Sequence, residues 1–212
     1  MKKKNSVRNR SAKISTEEKI KEAARRLFTQ KGYAAVKTRD IAEEAGINLA
    51  LLNYYFRSKE KLFNMIMAES LQQFILGIAS ILKDETVARE ERMEKIVSYY
   101  IDMLTQYPDL PLFILSEMKR QPQQLASKFD PVIGSARANI LKEVQNEIKD
   151  GKIANLHIVH FIANFIGLTV FPFVASPMLQ RVAQVNDKQF KELMQERKKL
   201  IPLWIKTITS VK

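Results

Sequence analysis

The sequence predicts an all-α protein: an N-terminal three-helix domain of the helix-turn-helix kind, joined by a shared helix to a larger C-terminal helical bundle. Three observations carry this. Gly and Pro number only 6 and 7 in 212 residues, whereas the helix formers Ala, Leu, Lys, Glu and Gln are abundant. Apolar residues recur at helical spacing along most of the chain. No segment shows the alternation of a half-buried strand.

The elements follow in order. Residues 1–14 are polar and basic and read as a flexible arm. Ser15 with Glu18 makes a capping box; Ile20, Ala23, Ala24, Leu27 and Phe28 then share one helical face, and Gly32 ends the helix. Thr38 is placed to cap a short second helix with Ile41, Ala42 and Ala45 inward, broken by Gly46. Asn48 caps a third, running to about Tyr55. Ser58 caps a fourth that carries Leu62, Phe63, Ile66, Met67, Leu71, Ile75, Ala79 and Leu82. Further helices are expected near 88–106, 109–120, 124–149, 155–171 and 187–210, punctuated by Pro108, Pro122, Asp150-Gly151 and Pro172; Pro202 falls inside the last and is a candidate kink. The expected domains are the arm 1–14, a helix-turn-helix domain 15–60 and a larger helical domain 61–212. The break falls inside the fourth helix, so no flexible linker is expected.

Charge narrows the partner. The formal net charge is +12, and residues 1–60 hold 15 Lys/Arg against 7 Asp/Glu. A positive excess at one end points to a polyanion. The absence of cysteine excludes disulfides, thiolate metal sites and a Cys nucleophile. No Gly-rich phosphate loop, nucleophile elbow or zinc-binding His pair is present, so no enzyme and no cofactor are expected. Ile153 to Ala175 is apolar, but Asn155, His157, His160, Asn164 and Pro172 interrupt it, so it reads as a buried helix and not a membrane span. The expected compartment is the cytoplasm. His157 and His160 are three apart and read as hydrogen-bonding groups, not metal ligands.

The informative segment runs from Thr38 to Lys59. Two short helices meet at Ala45-Gly46-Ile47, where Gly permits the tight turn and Ile47 plugs the space between the helices. This is the build of a helix-turn-helix, whose second helix enters the major groove. Leu52 and Phe56 face inward, which leaves Leu49, Ala50, Asn53 and Tyr54 outward. An ordinary helical hairpin has the same outline, so this pattern alone leaves both readings open.

The segment resembles the DNA-binding domain of the TetR repressor family in Phe28, Gly32, Tyr33, Thr38, Ile41, Ala42, Ala45-Gly46-Ile47, Leu52, Phe56, Ser58-Lys59-Glu60 and Leu62. The resemblance covers roughly residues 15–65; beyond it only length and helical pattern agree. It implies that Thr38 caps the second helix and contacts phosphate, and that Arg39 reaches a base or phosphate. Asn48, Leu49 and Ala50 lie at the tip of the recognition helix. Tyr54 and Tyr55 touch the DNA backbone, and Lys59 clamps a phosphate. Asn53 stands where the family usually has Tyr: Asn can pair bidentately with adenine, or merely shorten the side chain. Arg57 reads as a solvated charge. The basic arm reads as a DNA arm or a solubilising tail.

The resemblance also implies a homodimer through the last two long helices, for which Phe161, Phe165, Phe190 and Trp204 are the candidates. It implies an effector cavity among the middle helices, with Tyr100, Met103, Tyr107 and Phe113 as lining for a largely apolar ligand. The expected function is a repressor released from a palindromic operator by that ligand. Two alternatives stand beside it: a regulator without an effector, and a basic helical adaptor for a protein or membrane surface.

Overall fold

A computed structural model describes residues 15–84, 86–151, 154 and 157–210; the basic arm lies outside the described residues. Among these it places helices and no strand: α1 Thr16–Ala35, α2 Thr38–Glu44, α3 Leu49–Tyr55, α4 Lys59–Lys83, α5 Arg89–Gln106, α6 Leu110–Arg120, α7 Pro122–Lys149, α8 Ile158–Thr169, α9 Phe171–Val174, α10 Ser176–Ala183 and α11 Asp187–Ser210. Two compact units divide between Phe63 and Asn64, inside α4.

In the first unit the capping residues act as their chemistry requires. Ser15 Oγ accepts from the Glu18 amide at 3.1 Å, and Asn48 Oδ1 accepts from the Leu51 amide at 2.8 Å. Both satisfy donors that a helix start leaves without partners. The start of α2 differs from expectation. Thr38 is the first helical residue and not the cap; Lys37 is the cap residue, and its amide donates to the Asp40 carboxylate at 2.9 Å. Asp40, three residues inside the helix, supplies the bond that Thr38 was expected to make. Gly32 adopts φ 74, ψ 160 and breaks the helical path of α1, a conformation a Cβ disfavours. Ile20, Ala24, Leu27, Phe28, Ile41, Ala42, Leu52, Phe56 and Leu62 are buried.

The second unit is built around α5, α8 and α11. Val97 and Ile101 pack with Phe165, Phe190, Met194, Ile201 and Ile205 in one buried cluster. Lys198 pairs with Asp102 at 2.6 Å and ties α11 to α5. On α4 and α5, Tyr99 donates its hydroxyl to the Gln73 carbonyl at 3.1 Å and lies parallel to Phe74, with centroids 5.7 Å apart.

Between the helices expected near 155–171 and 187–210 lie two more, α9 and α10. Pro172 and Pro177 lie in the first turns of these helices, where a missing N–H costs nothing, so they start helices instead of stopping them. By the same rule α7 begins at Pro122, ahead of the expected 124. α8 begins at Ile158, not near 155, because His157 caps it through Nδ1, which accepts from the Val159 amide at 3.3 Å. α11 runs through Pro202. The membrane test falls on a different helix from the one expected. α8 has 12 residues, a length of about 18 Å at 1.5 Å per residue, short of the hydrocarbon core. α4 is long and apolar enough to cross a membrane by length and composition, but it carries Leu71, Phe74, Ile75, Ile78 and Ala79 as buried core, which a central bundle helix also shows.

Candidate nucleic-acid interface

The turn between α2 and α3 is closed by the backbone. The Gly46 amide donates to the Glu43 carbonyl and the Ile47 amide to the Ala42 carbonyl, each at 3.0 Å. These two bonds form a Schellman closure, which requires a left-handed residue after the cap. Gly46 supplies it with φ 67. No side chain would obstruct a Cβ at Gly46, so backbone conformation, not space, selects glycine there. Ile47 is half-buried at the turn. An exposed ion pair, Arg26 to Glu44 at 3.0 Å, joins α1 to the end of α2.

This closure presents α3 with a strongly divided surface. Of its seven residues only Leu52 is buried, and Phe56 just beyond the helix end is buried too. Ala50, Leu51, Asn53, Tyr54 and Tyr55 are exposed and Leu49 is half-buried. Tyr54 leaves 80% of its surface in solvent and stands edge-on to Tyr55, with centroids 5.4 Å apart. Leu51, 37% exposed, was not among the expected site residues. The signal for it was present: a seven-residue helix with one buried position exposes nearly everything else. On α2, Arg39 is exposed and Thr38 half-buried. Arg57 is exposed between α3 and α4.

Lys59 behaves differently from a free surface cation. Its Nζ donates to the carbonyls of Tyr33 and Val36, each at 2.9 Å, and lies 4.1 Å from the centre of the Tyr33 ring. That ring packs on Phe63 at 4.5 Å, and Phe63 meets Phe28 edge-on at 5.2 Å. Ser58 Oγ caps α4 by accepting from the Lys61 amide at 3.1 Å.

In the second unit the residues expected to line an effector cavity are interior. Met103 and Tyr107 are buried, and Phe113 on α6 is half-buried. Tyr100 meets Phe74 and Phe165 edge-on at 4.5 and 5.2 Å, and burial pushes its phenol up to about 12.

The expected dimer residues need correction. Phe165 and Phe190 belong to the chain's own buried cluster, with Phe161 packed partly buried against it. The α8 and α11 surfaces left open are Ile158, Val159, Ile162 and Ile166, and Leu193, Leu200, Leu203 and Trp204. Only Trp204 of the four candidates lies on that open face. Beside it Arg197 donates to the Leu168 carbonyl at 2.7 Å and lies 5.0 Å from the Trp204 ring centre, and burial lowers its pKa.

A helix-turn-helix closed by a Schellman turn, with an exposed second helix and a basic flank, defines a DNA-binding regulator. Residues 20–66 match the bacterial regulatory proteins of the tetR family. Over 203 residues the chain is 23% identical to the Probable HTH-type transcriptional regulator YttP of Bacillus subtilis (strain 168), covering 92% of this chain and 95% of that one. The Fatty acid metabolism regulator protein of the same organism is 24% identical over 135 residues, 63% of this chain and 69% of that one. Among solved structures, the TetR family transcriptional regulator PfmR from Thermus thermophilus shares the fold with TM-score 0.56 and 17% identity, covering 87% of this chain and 97% of that one. Residues 20–66 carry a DNA-binding helix-turn-helix of the tetR kind, and over most of its length the chain is similar to an HTH-type transcriptional regulator.

Proposed function

We propose that this regulator works as a homodimeric repressor in the cytoplasm, reading a palindromic operator and releasing it when a small, largely apolar ligand binds. The observation that carries the operator reading is the surface of α3, where one residue in seven is buried. Asn53 is the base reader in this account, by a bidentate bond to adenine, with Leu49, Ala50 and Asn48 at the helix tip. Arg39, Thr38, Tyr54 and Tyr55 hold the phosphate backbone.

Dimerisation is supported by the open apolar face of α8 and α11, which includes Ile162 at 53% and Leu203 at 61% exposure. Such a face is expensive in water and favours burial against a second copy. Two recognition helices would then lie about 34–36 Å apart, one turn of DNA. The effector reading is supported by the aromatic and Met side chains at Tyr100, Met103, Tyr107 and Phe113. A name that ties one relative to fatty acid metabolism agrees with an apolar class of ligand. α4 is continuous across the division at residue 63, so a ligand that prefers the state with the wrong half-site spacing has a path to the DNA end.

Coupling of about 1–3 kcal/mol gives a roughly 5–150-fold change in operator affinity, and linkage makes it reciprocal. Calorimetry of medium-chain to long-chain fatty acids against the free protein and against its operator complex tests this. Weaker ligand binding to the complex, by the same factor as the loss of DNA affinity, is the expected result. Equal ligand affinity in both titrations excludes that ligand as an inducer.

A further inference from the structure

A cation at the first residue of a helix opposes the positive end of the helix dipole. Lys59 occupies that place in α4, so its charge needs compensation. A DNA phosphate is one source, but the protein already provides another. The Tyr33 and Val36 carbonyls, both within 2.9 Å of Nζ, lie just past the Gly32 break, where a helix end leaves carbonyls without intrahelical partners. The Tyr33 ring at 4.1 Å adds its electron-rich face. Two carbonyls and a ring therefore surround the ammonium.

The location of those acceptors has a consequence for recognition. Val36 is the residue immediately before Lys37, the cap of α2. The turn that leads from α2 to α3 is itself fixed to α2 by the backbone bonds from Gly46 and Ile47. Fixing the Val36 carbonyl therefore fixes where α2 starts, and with it the path to α3. The Phe28, Tyr33 and Phe63 rings, mutually 4.5 to 5.9 Å apart, hold the far side of the same junction.

We propose that Lys59 is a positioning residue for operator reading: it sets α2 and α3 through the Tyr33–Val36 link. This rests on the operator reading above.

The two roles separate in a salt series. The probes are a duplex selected from a random pool by the unaltered protein, and a scrambled duplex of the same length. The variants are Lys59→Gln and Lys59→Arg, each checked for helical content and studied well below its unfolding temperature. A positioning role predicts that both variants lose preference for the selected duplex by about tenfold, the scale of a lost base contact. Arg fails to rescue because a planar fork does not reproduce a compact ammonium between two carbonyls and a ring. A phosphate clamp predicts the opposite: Lys59→Gln lowers the slope by about 0.9 with preference intact, and Lys59→Arg restores both; that result overturns the proposal. Unchanged preference and slope in both variants also overturns it, since Lys59 then serves the fold alone. No preference by the unaltered protein would overturn the operator reading itself, and would appear before any variant is compared.

Discussion

Gly77→Ala is the substitution whose cost follows most directly from the structure. A Cβ on Gly77 would stand 2.2 Å from the Tyr99 hydroxyl oxygen and 2.3 Å from the ring carbon that bears it, so the ring must move. Tyr99 is half-buried and can swing outward, which avoids the full overpacking cost of a closed core. Leaving its place breaks the hydrogen bond to the Gln73 carbonyl, about 0.5–1.5 kcal/mol, and the parallel contact with Phe74, about 0.5–1.5 kcal/mol. Against this, Ala in place of Gly in a helix interior gains about 0.8–1.0 kcal/mol. The balance is a net loss of about 1 kcal/mol, or about 2–4 °C in Tm for a chain of this size. Denaturant unfolding at fixed protein concentration measures it, in the natural background and again with Tyr99→Ala. With Tyr99 truncated, Gly77→Ala should become stabilising by about 1 kcal/mol. If Gly77→Ala stabilises equally in both backgrounds, Tyr99 does not lie on α4 and the packing argument fails.

Four further expectations can be checked together. Asn53→Ala should cost about 1–3 kcal/mol at one base position per half-site, read from affinities for single-position operator variants; a uniform loss over all positions would show that Asn53 reads no base. Trp204→Asp should shift sedimentation at micromolar concentration toward monomer, because a charge in an apolar contact is costly. Phe165→Ala should instead lower stability by about 3–5 kcal/mol, and an unchanged unfolding curve for it would contradict its place in the core. Tyr100→Phe should flatten the alkaline loss of stability. The folded phenol is raised to about 12 from an ordinary value of 10.0, so its neutral form contributes fully below pH 10 and that contribution falls as pH rises toward 12, by at most about 1.4 kcal/mol per unit. Unfolding midpoints between pH 9 and 11 that are identical in both proteins would exclude that contribution.

The helix-turn-helix was legible because its determinants are local. Gly46 needs a left-handed backbone, Asn48 and Ser15 bond amides three residues on, and Leu52 and Phe56 are four apart, so spacing alone places them. Thr38 misled because its neighbour Asp40 competes for the same role, and sequence spacing does not say which oxygen wins. The dimer face misled for a geometric reason. Phe190 and Trp204 are fourteen residues apart, which is about 3.9 turns; the remaining angle of about 40° puts one on the core side and the other at the open edge. α8 offered no contrast to correct this, since apolar residues on every side give no periodicity to orient it. Lys59 was legible as a residue but not as a contact, because its acceptors are backbone carbonyls, which any sequence supplies. α9 and α10 were missed because proline was read as a stop where it opens a helix.

The most direct test of the central claim is selection of duplex DNA from a random pool by the purified protein, followed by sequencing. A dimer that reads bases through α3 predicts enriched sites with two inverted half-sites whose centres lie about 10–10.5 base pairs, or a multiple of one turn, apart. Enrichment of a single half-site with no symmetric partner would contradict the dimer, and a pool that remains random would contradict base reading altogether.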